Sequence, residues 1–99
     1  MNMDIVDTSE DRTFIIQDEL VAVKVLKFEQ KLNDFIRDDH RDIVIDLMHI
    51  TKIDSMSIAT LIRFKNALTE KGRTMHLANP TDTVFRVLEL SGMDKFLME

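Results

Sequence analysis

The chain has 99 residues, of which 44% are hydrophobic and 31% charged, and its formal net charge is −5 at pH 7. This balance excludes an intrinsically disordered chain, which lacks the apolar surface needed to offset the loss of chain entropy. The negative charge argues against nucleic-acid binding, which uses clustered lysine and arginine, and the absence of cysteine excludes disulfides and thiolate chemistry.

We expect a single domain over residues 1–99, because the chain is short and contains no linker rich in Gly, Ser or Pro. Its start is acidic and lacks the basic region and apolar run of a signal peptide. No stretch approaches the ~20 apolar residues that cross a bilayer. A cytoplasmic protein with no direct membrane insertion is therefore expected.

The first forty residues predict a β-hairpin followed by a helix. Two short runs rich in branched residues, Met3–Thr8 and Thr13–Gln17, flank the polar stretch Ser9–Arg12. From about Leu20 to Ile36, apolar residues recur at steps of four and three, which is the period of an amphipathic helix. The apolar positions of that helix are Val21, Val25, Phe28, Leu32 and Phe35.

The middle of the chain predicts an interior strand and a second helix. Ile43–Leu47 is almost continuously apolar, which is typical of a central strand covered on both faces. Helical spacing returns over about residues 56–70, and Gly72 is placed to end that helix in a left-handed turn.

The last third predicts a strand over Thr74–Ala78, a break at Asn79–Pro80 and a third helix capped by Thr81 or Asp82. Residues 93–98 add a short terminal helical turn. The order β-β-α-β-α-β-α indicates an α/β fold with a small mixed β-sheet. We expect an N-terminal hairpin, with the remaining strands largely parallel, joined by right-handed crossovers and packed by three or four helices.

Most catalytic chemistry is disfavoured by the residues present. The histidines His40, His49 and His76 lack metal-ligand spacing, and no G-x-S-x-G turn exposes a serine nucleophile. Asp46 and Asp54 resemble part of a response-regulator phosphoacceptor site, but the further acidic pair and lysine of that site are missing. We expect no catalytic residue, no metal, no cofactor and no enzymatic activity.

The stretch Asp54-Ser55-Met56-Ser57, at the start of the second predicted helix, has two interpretations. An Asp or Ser before an apolar-periodic run caps a helix by accepting a free backbone N–H, which contributes about 1 kcal/mol. The same helix start tolerates a phosphate, because unpaired N–H groups and the positive end of the helix dipole lie there. The residues alone leave both interpretations open.

The sequence resembles the STAS domain of bacterial anti-sigma factor antagonists. Members have a strand ending in Asp-Leu, a short loop, and an apolar residue followed by Asp-Ser and a helix. The matching residues are Ile45-Asp46-Leu47, Ile50 and Ile53-Asp54-Ser55, leading into Ile58 and Leu61. A second match lies near the end of the chain, at Asn79-Pro80, Val84, Arg86-Val87-Leu88, Leu90-Ser91-Gly92-Met93 and Phe96.

This resemblance implies a phosphorylation switch at Ser55, with Ser57 as the alternative phosphosite. The partner would be an ATP-binding serine protein kinase that is also the anti-sigma factor, and a PP2C-type serine phosphatase would reverse the modification. The unphosphorylated domain would bind the kinase through Asp54, Ser55, Met56, Ser57 and Ile58, and phosphorylation would release it.

The resemblance also allows a second function. Some STAS domains are regulatory subunits of transporter complexes and need no kinase. Two features of this chain depart from the family pattern. Met56 and Ser57 stand where the family has a small residue and then Gly, and the first helix lacks the usual Gly-x-x-Asp entry.

Overall fold

A computed structural model describes all 99 residues and contains a four-stranded sheet with four helices. The elements, in chain order, are β1 Met3–Asp7, β2 Asp11–Ile16, α1 Lys24–Asp38, β3 Asp42–Asp46, α2 Ser55–Glu70, β4 Met75–Ala78, α3 Asp82–Leu90 and α4 Asp94–Met98. The predicted α/β fold is confirmed, including the terminal helical turn. No helix is both long and apolar enough to cross a membrane.

The strands lie in the order β1-β2-β3-β4. β1 pairs with β2 antiparallel, whereas β2, β3 and β4 are parallel. Each parallel connection steps in the same direction across the sheet, so right-handed crossovers bring α1 and α2 to the same face. Buried apolar residues of all four helices, of β2, β3 and β4, and of the loops form one cluster of 20 residues. The domain therefore has two layers, with helices on one face of the sheet.

Strand β3 is interior, as predicted, but it is not covered on both faces. Ile43 and Ile45 are fully buried in the cluster, while Val44 between them is only half-buried and does not pack against it. The prediction of a doubly covered strand is wrong. The continuous apolar run reflects the preference of β-branched residues for a pleated surface as well as burial.

Helix α1 begins at Lys24 and not near Leu20. Leu20 instead forms a parallel β-bridge with Ile53, and Ala22 has φ 52°, in the left-handed region that a helix cannot contain. Val21, four residues before Val25, continues the apolar spacing of the helix but lies in the loop and is not helical.

Helix α2 ends as the sequence predicts. Gly72 has φ 73°, and the N–H of Arg73 donates to the carbonyl of Leu68 at 2.8 Å. This pattern satisfies carbonyls that the last turn leaves free, and glycine adopts the left-handed conformation without steric cost.

Candidate functional site

Asp54 is the N-cap of α2 and joins two loops at the carboxyl edge of the parallel strands. Its Oδ1 accepts the backbone N–H of Ser57 at 2.9 Å, so the predicted cap is confirmed for this residue. Its Oδ2 accepts the backbone N–H of Ala22 at 3.0 Å, across from the loop that precedes α1. One carboxylate thus fixes both the start of α2 and its distance from the β2–α1 loop.

These two backbone donors, with that of Ala22 the stronger, hold the pKa of Asp54 below its ordinary value of 3.8. Hydrogen bonds to a carboxylate stabilise its charged form, which explains the direction. The side chain is therefore ionised at neutral pH and places a fixed negative charge beside Ser55.

Ser55 and Met56 occupy the first two positions of α2, and both side chains are exposed. No protein group accepts their backbone N–H groups, whereas the N–H of Ser57 is capped and that of Ile58 donates to the carbonyl of Asp54. Two free N–H groups at the positive end of a helix favour an anion bound locally. The Ser55 hydroxyl makes no hydrogen bond within the protein.

Ser57 lies two residues further along and faces the interior. Its side chain is 1% exposed, and its hydroxyl lies within hydrogen-bonding distance of the Leu20 carbonyl and of Asp54 Oδ1. Ile58 is buried in the core cluster. Of the five residues predicted to bind a partner, Ser57 and Ile58 are thus inside the protein and support the site from beneath.

Glu19 fixes the loop before α2 from the opposite side, and the sequence analysis did not identify it. Its carboxylate accepts the backbone N–H of Lys52 at 2.6 Å and that of Thr51 at 3.1 Å, and the Thr51 hydroxyl donates to it at 3.3 Å. Nothing in the sequence distinguishes Glu19 from other surface acids, because its partners lie more than thirty residues away. The two loops therefore bind each other reciprocally, through Glu19 in one direction and Asp54 in the other.

Exposed apolar side chains surround this pair of loops. Met56 is 48% exposed, and Val23, directly after the residue that Asp54 binds, is 75% exposed. Leu26, one turn further along α1, is 54% exposed. Large apolar side chains beside a presented polar group are the usual composition of a protein-binding surface.

No hydrogen bond joins a histidine side chain to Ser55 or Ser57, and no group of three or more potential metal ligands occurs in the chain. The geometry is that of a small α/β domain with an exposed serine, an ionised aspartate and exposed apolar side chains on one surface.

Comparison with known proteins identifies the family to which this domain belongs. The chain matches the STAS domain over residues 2–98, and it belongs to that family. An anti-sigma-B factor antagonist of Staphylococcus aureus strain NCTC 8325 / PS 47 is 24% identical over 95 residues, which cover 94% of this chain and 88% of that protein. The resemblance stated from the two sequence motifs is confirmed.

Solved structures show the same fold. The anti-sigma factor antagonist SpoIIAA in its unphosphorylated form superposes with a TM-score of 0.84 at 20% identity, covering 99% of this chain and 86% of that one. A protein from Thermotoga maritima superposes with a TM-score of 0.86 at 19% identity, covering 97% and 83% respectively.

Proposed function

We propose that the protein is an anti-sigma factor antagonist that is switched by phosphorylation of Ser55. When Ser55 is free, the domain binds an ATP-binding serine kinase that is also an anti-sigma factor, and phosphorylation releases that partner. A PP2C-type phosphatase restores the binding state. The observation that carries the proposal is the exposed Ser55 hydroxyl on a helix start beside an ionised aspartate, in a chain of the STAS family.

Electrostatics supports this switch. A phosphoserine carries about −1.5 to −2 charges at neutral pH. The free N–H groups of Ser55 and Met56 stabilise such a group in the unbound protein. In a complex, the phosphate and the Asp54 carboxylate would both lose their hydrating water. The free energy of a buried, unpaired charge is much higher than that of a solvated one. Phosphorylation therefore weakens docking while leaving the domain folded.

The apolar surroundings support a protein partner. Binding is favoured when a partner removes the side chains of Met56, Val23 and Leu26 from water, by roughly 25 cal/mol per Å² of apolar surface buried. They flank Ser55, so a charge placed on its hydroxyl lies within the surface to be desolvated. Asp54 and Met56 are the neighbouring residues that we assign to the contact.

The buried hydroxyl of Ser57 leads us to propose Ser55 alone as the acceptor. A kinase requires the oxygen to approach the γ-phosphate in line, and the Ser57 oxygen lies beneath the Leu20 carbonyl. Phosphorylation there requires local unfolding of the helix start. Ser57 and Ile58 contribute to binding by shaping the surface.

The first experiment locates the modification. The protein is incubated with a candidate ATP-binding serine kinase and Mg-ATP, and the phosphorylated residue is identified by mass spectrometry. We expect phosphate on Ser55, no labelling of Ser55→Ala, and removal of the phosphate by a PP2C-type phosphatase. Labelling of Ser55→Ala to the wild-type level would contradict the assignment.

The second experiment tests the direction of the switch. Ser55→Ala should bind the kinase as the unmodified protein does, and Ser55→Asp should bind at least about tenfold more weakly because like charges at an interface are unfavourable. Ser9→Asp is a matched control, since Ser9 is exposed in the β1–β2 turn, far from this site. Equal affinities for all three variants would contradict a switch and favour constitutive binding, as in a transporter subunit.

A further inference from the structure

The sheet face opposite the helices carries no covering element. Strand register places Val6, Thr13, Val44 and His76 in one row across it, and Ile15 and Ala78 in the next. Val6 is 53% exposed and the other five residues are half-buried. Neither Ile15 nor Val44 packs against the hydrophobic core. We call these six residues the open strip. Parallel strands are ordinarily covered on both faces, so the open strip is an unpartnered surface.

Charge on this face has one sign. The same registers bring four carboxylates to it, at Asp4, Asp11, Asp42 and Asp46, and no lysine or arginine of the four strands faces this side. Asp11 and Asp42 are direct neighbours on adjacent strands, and like charges in that position are destabilising. The face therefore concentrates negative charge around an apolar centre.

None of the four carboxylates forms an ion pair. Asp4 accepts from the Gln17 amide, Asp11 from the Thr8 hydroxyl and Asp42 from the backbone N–H of Thr74. Asp46 is nearly buried and accepts from the Met48 N–H and the Asn79 amide. All these donors are neutral. By contrast, Asp7, a strand acid on the other face, pairs with Arg12 on the neighbouring strand at 2.7 Å.

The shape and charge of the face restrict its occupant. None of the surface cavities is lined by residues of the open strip, so the face is better suited to a protein element than to a small ligand. A second copy of this chain would oppose carboxylate to carboxylate, and anionic lipid or nucleic acid would be repelled for the same reason. A cationic, amphipathic polypeptide satisfies both the apolar centre and the acidic border.

We propose that the open strip and its carboxylates bind a basic amphipathic helix of a protein partner. Asp11 and Asp42 are register neighbours at one end of the strip. Asp4 is the register neighbour of Ile15, which lies four residues after Asp11, so Asp4 is about 13 Å from Asp11 along the strand direction. A helix spans that distance in about nine residues. The partner helix thus carries lysine or arginine about nine positions apart, on either side of an apolar stripe that covers Ile15 and Val44.

The test uses a fluorescent leucine–lysine peptide of about 14 residues that folds as an amphipathic helix on binding. Binding is followed by anisotropy with the full chain, and the site is mapped by amide shifts in two-dimensional NMR. We expect saturable binding with shifts centred on Thr13, Ile15 and Val44, and much weaker binding of a scrambled peptide of the same composition. Shifts centred on α1 and α2, or no saturation at about 1 mM peptide, would overturn the proposal.

Two sets of variants separate the site from general charge. Asp11→Asn combined with Asp42→Asn should weaken peptide binding about five- to tenfold, the effect of two lost surface ion pairs. Glu70→Gln combined with Glu89→Gln removes the same charge from exposed helix positions and should leave binding unchanged. Equal losses in the two double variants would overturn the proposal.

Thr13→Lys places a positive charge in the centre of the open strip and should abolish binding, even if the acidic variants prove unstable. The proposal does not depend on the phosphorylation switch. Ser55→Asp should bind the peptide as the wild type does, so failure at one surface is distinguishable from failure at the other.

Discussion

Ser55 and Ser57 show how two residues of one type, two positions apart, acquire opposite roles. Once Asp54 caps the helix, the third helical residue must point back toward the cap, and that residue is Ser57. Ser55 occupies the first position and faces solvent. The sequence identifies the helix start but leaves its phase open by one or two residues, so it cannot decide which hydroxyl is free.

Replacing each serine by alanine separates these roles. Ser57→Ala should lower the free energy of unfolding by about 1–3 kcal/mol, because it removes the one buried hydroxyl donor within reach of the Leu20 carbonyl and the Asp54 carboxylate. Ser55→Ala should change it by less than about 0.5 kcal/mol, since an exposed hydroxyl without partners is lost. Urea unfolding measures both. Equal destabilisation would contradict the buried position of Ser57.

The lowered pKa of Asp54 gives a pH-dependent contribution to stability. A carboxyl whose pKa is lower in the folded than in the unfolded state stabilises the fold fully above its unfolded value, near 3.8, and loses this effect as the pH falls through its folded pKa. The unfolding free-energy difference between wild type and Asp54→Asn should therefore be constant from pH 7 to about 5 and shrink below 3.8. Urea unfolding across this range measures it, and a difference that grows on acidification would contradict the cap.

At the scale of elements, the carboxyl edge of the sheet depends on loops that no periodic pattern reveals. The sequence predicts the strands from short runs of branched or apolar residues, and the helices from apolar residues recurring at steps of three and four. It misplaces the start of α1, because Val21 continues the helical period although it lies in the loop, directly after the β-bridge of Leu20 with Ile53. It also misses Glu19, whose partners become neighbours only when β2 and β3 pair.

Removing the Glu19 carboxylate should loosen the loop before Ser55 without unfolding the domain. In Glu19→Ala, the amides of Thr51 and Lys52 lose their acceptor, and we expect their hydrogen exchange to accelerate by about tenfold or more. Glu19→Gln keeps an acceptor oxygen and should show a smaller effect.

Asp18→Ala is the control for the Glu19 variants, since its carboxylate accepts from the Asn2 N–H and pairs with Lys24, away from this loop. Exchange rates that are unchanged in Glu19→Ala would show that the loop is held by its own backbone and by burial of Ile53.

For the whole molecule, the two ends of the parallel strands carry different groups of residues. Loops at the carboxyl ends present Ser55, which agrees with the general position of sites in parallel sheets. At the amino ends, guanidinium groups of Arg12, Arg41 and Arg73 lie over the Phe35 ring, at 4.9, 5.7 and 5.7 Å from its centroid. The family motifs indicate the Ser55 loop at the carboxyl ends from the sequence. The arginine cluster at the amino ends joins residues that share no local sequence pattern.

Arg73 is the most buried member of this cluster, at 9% exposure, and it connects three elements. It donates to the Ile36 carbonyl in the last turn of α1 and twice to the Arg41 carbonyl at the start of β3, at 3.0, 3.0 and 2.6 Å. Arg73→Ala leaves these carbonyls without donors and should cost about 2–4 kcal/mol of unfolding free energy. Arg73→Lys should recover only part of this, because an ammonium cannot reproduce the guanidinium fork.

The folded fraction of Arg73→Ala should still be phosphorylated on Ser55 at the wild-type rate, since the cluster lies at the opposite end of the strands. Urea unfolding and kinase assays at low temperature measure the two properties separately. A loss of phosphorylation that exceeds the loss of folded protein would mean that the two ends of the sheet are coupled. Independence is expected because β2, β3 and β4 form a continuous hydrogen-bonded sheet between them, which keeps each end's geometry when the other is loosened.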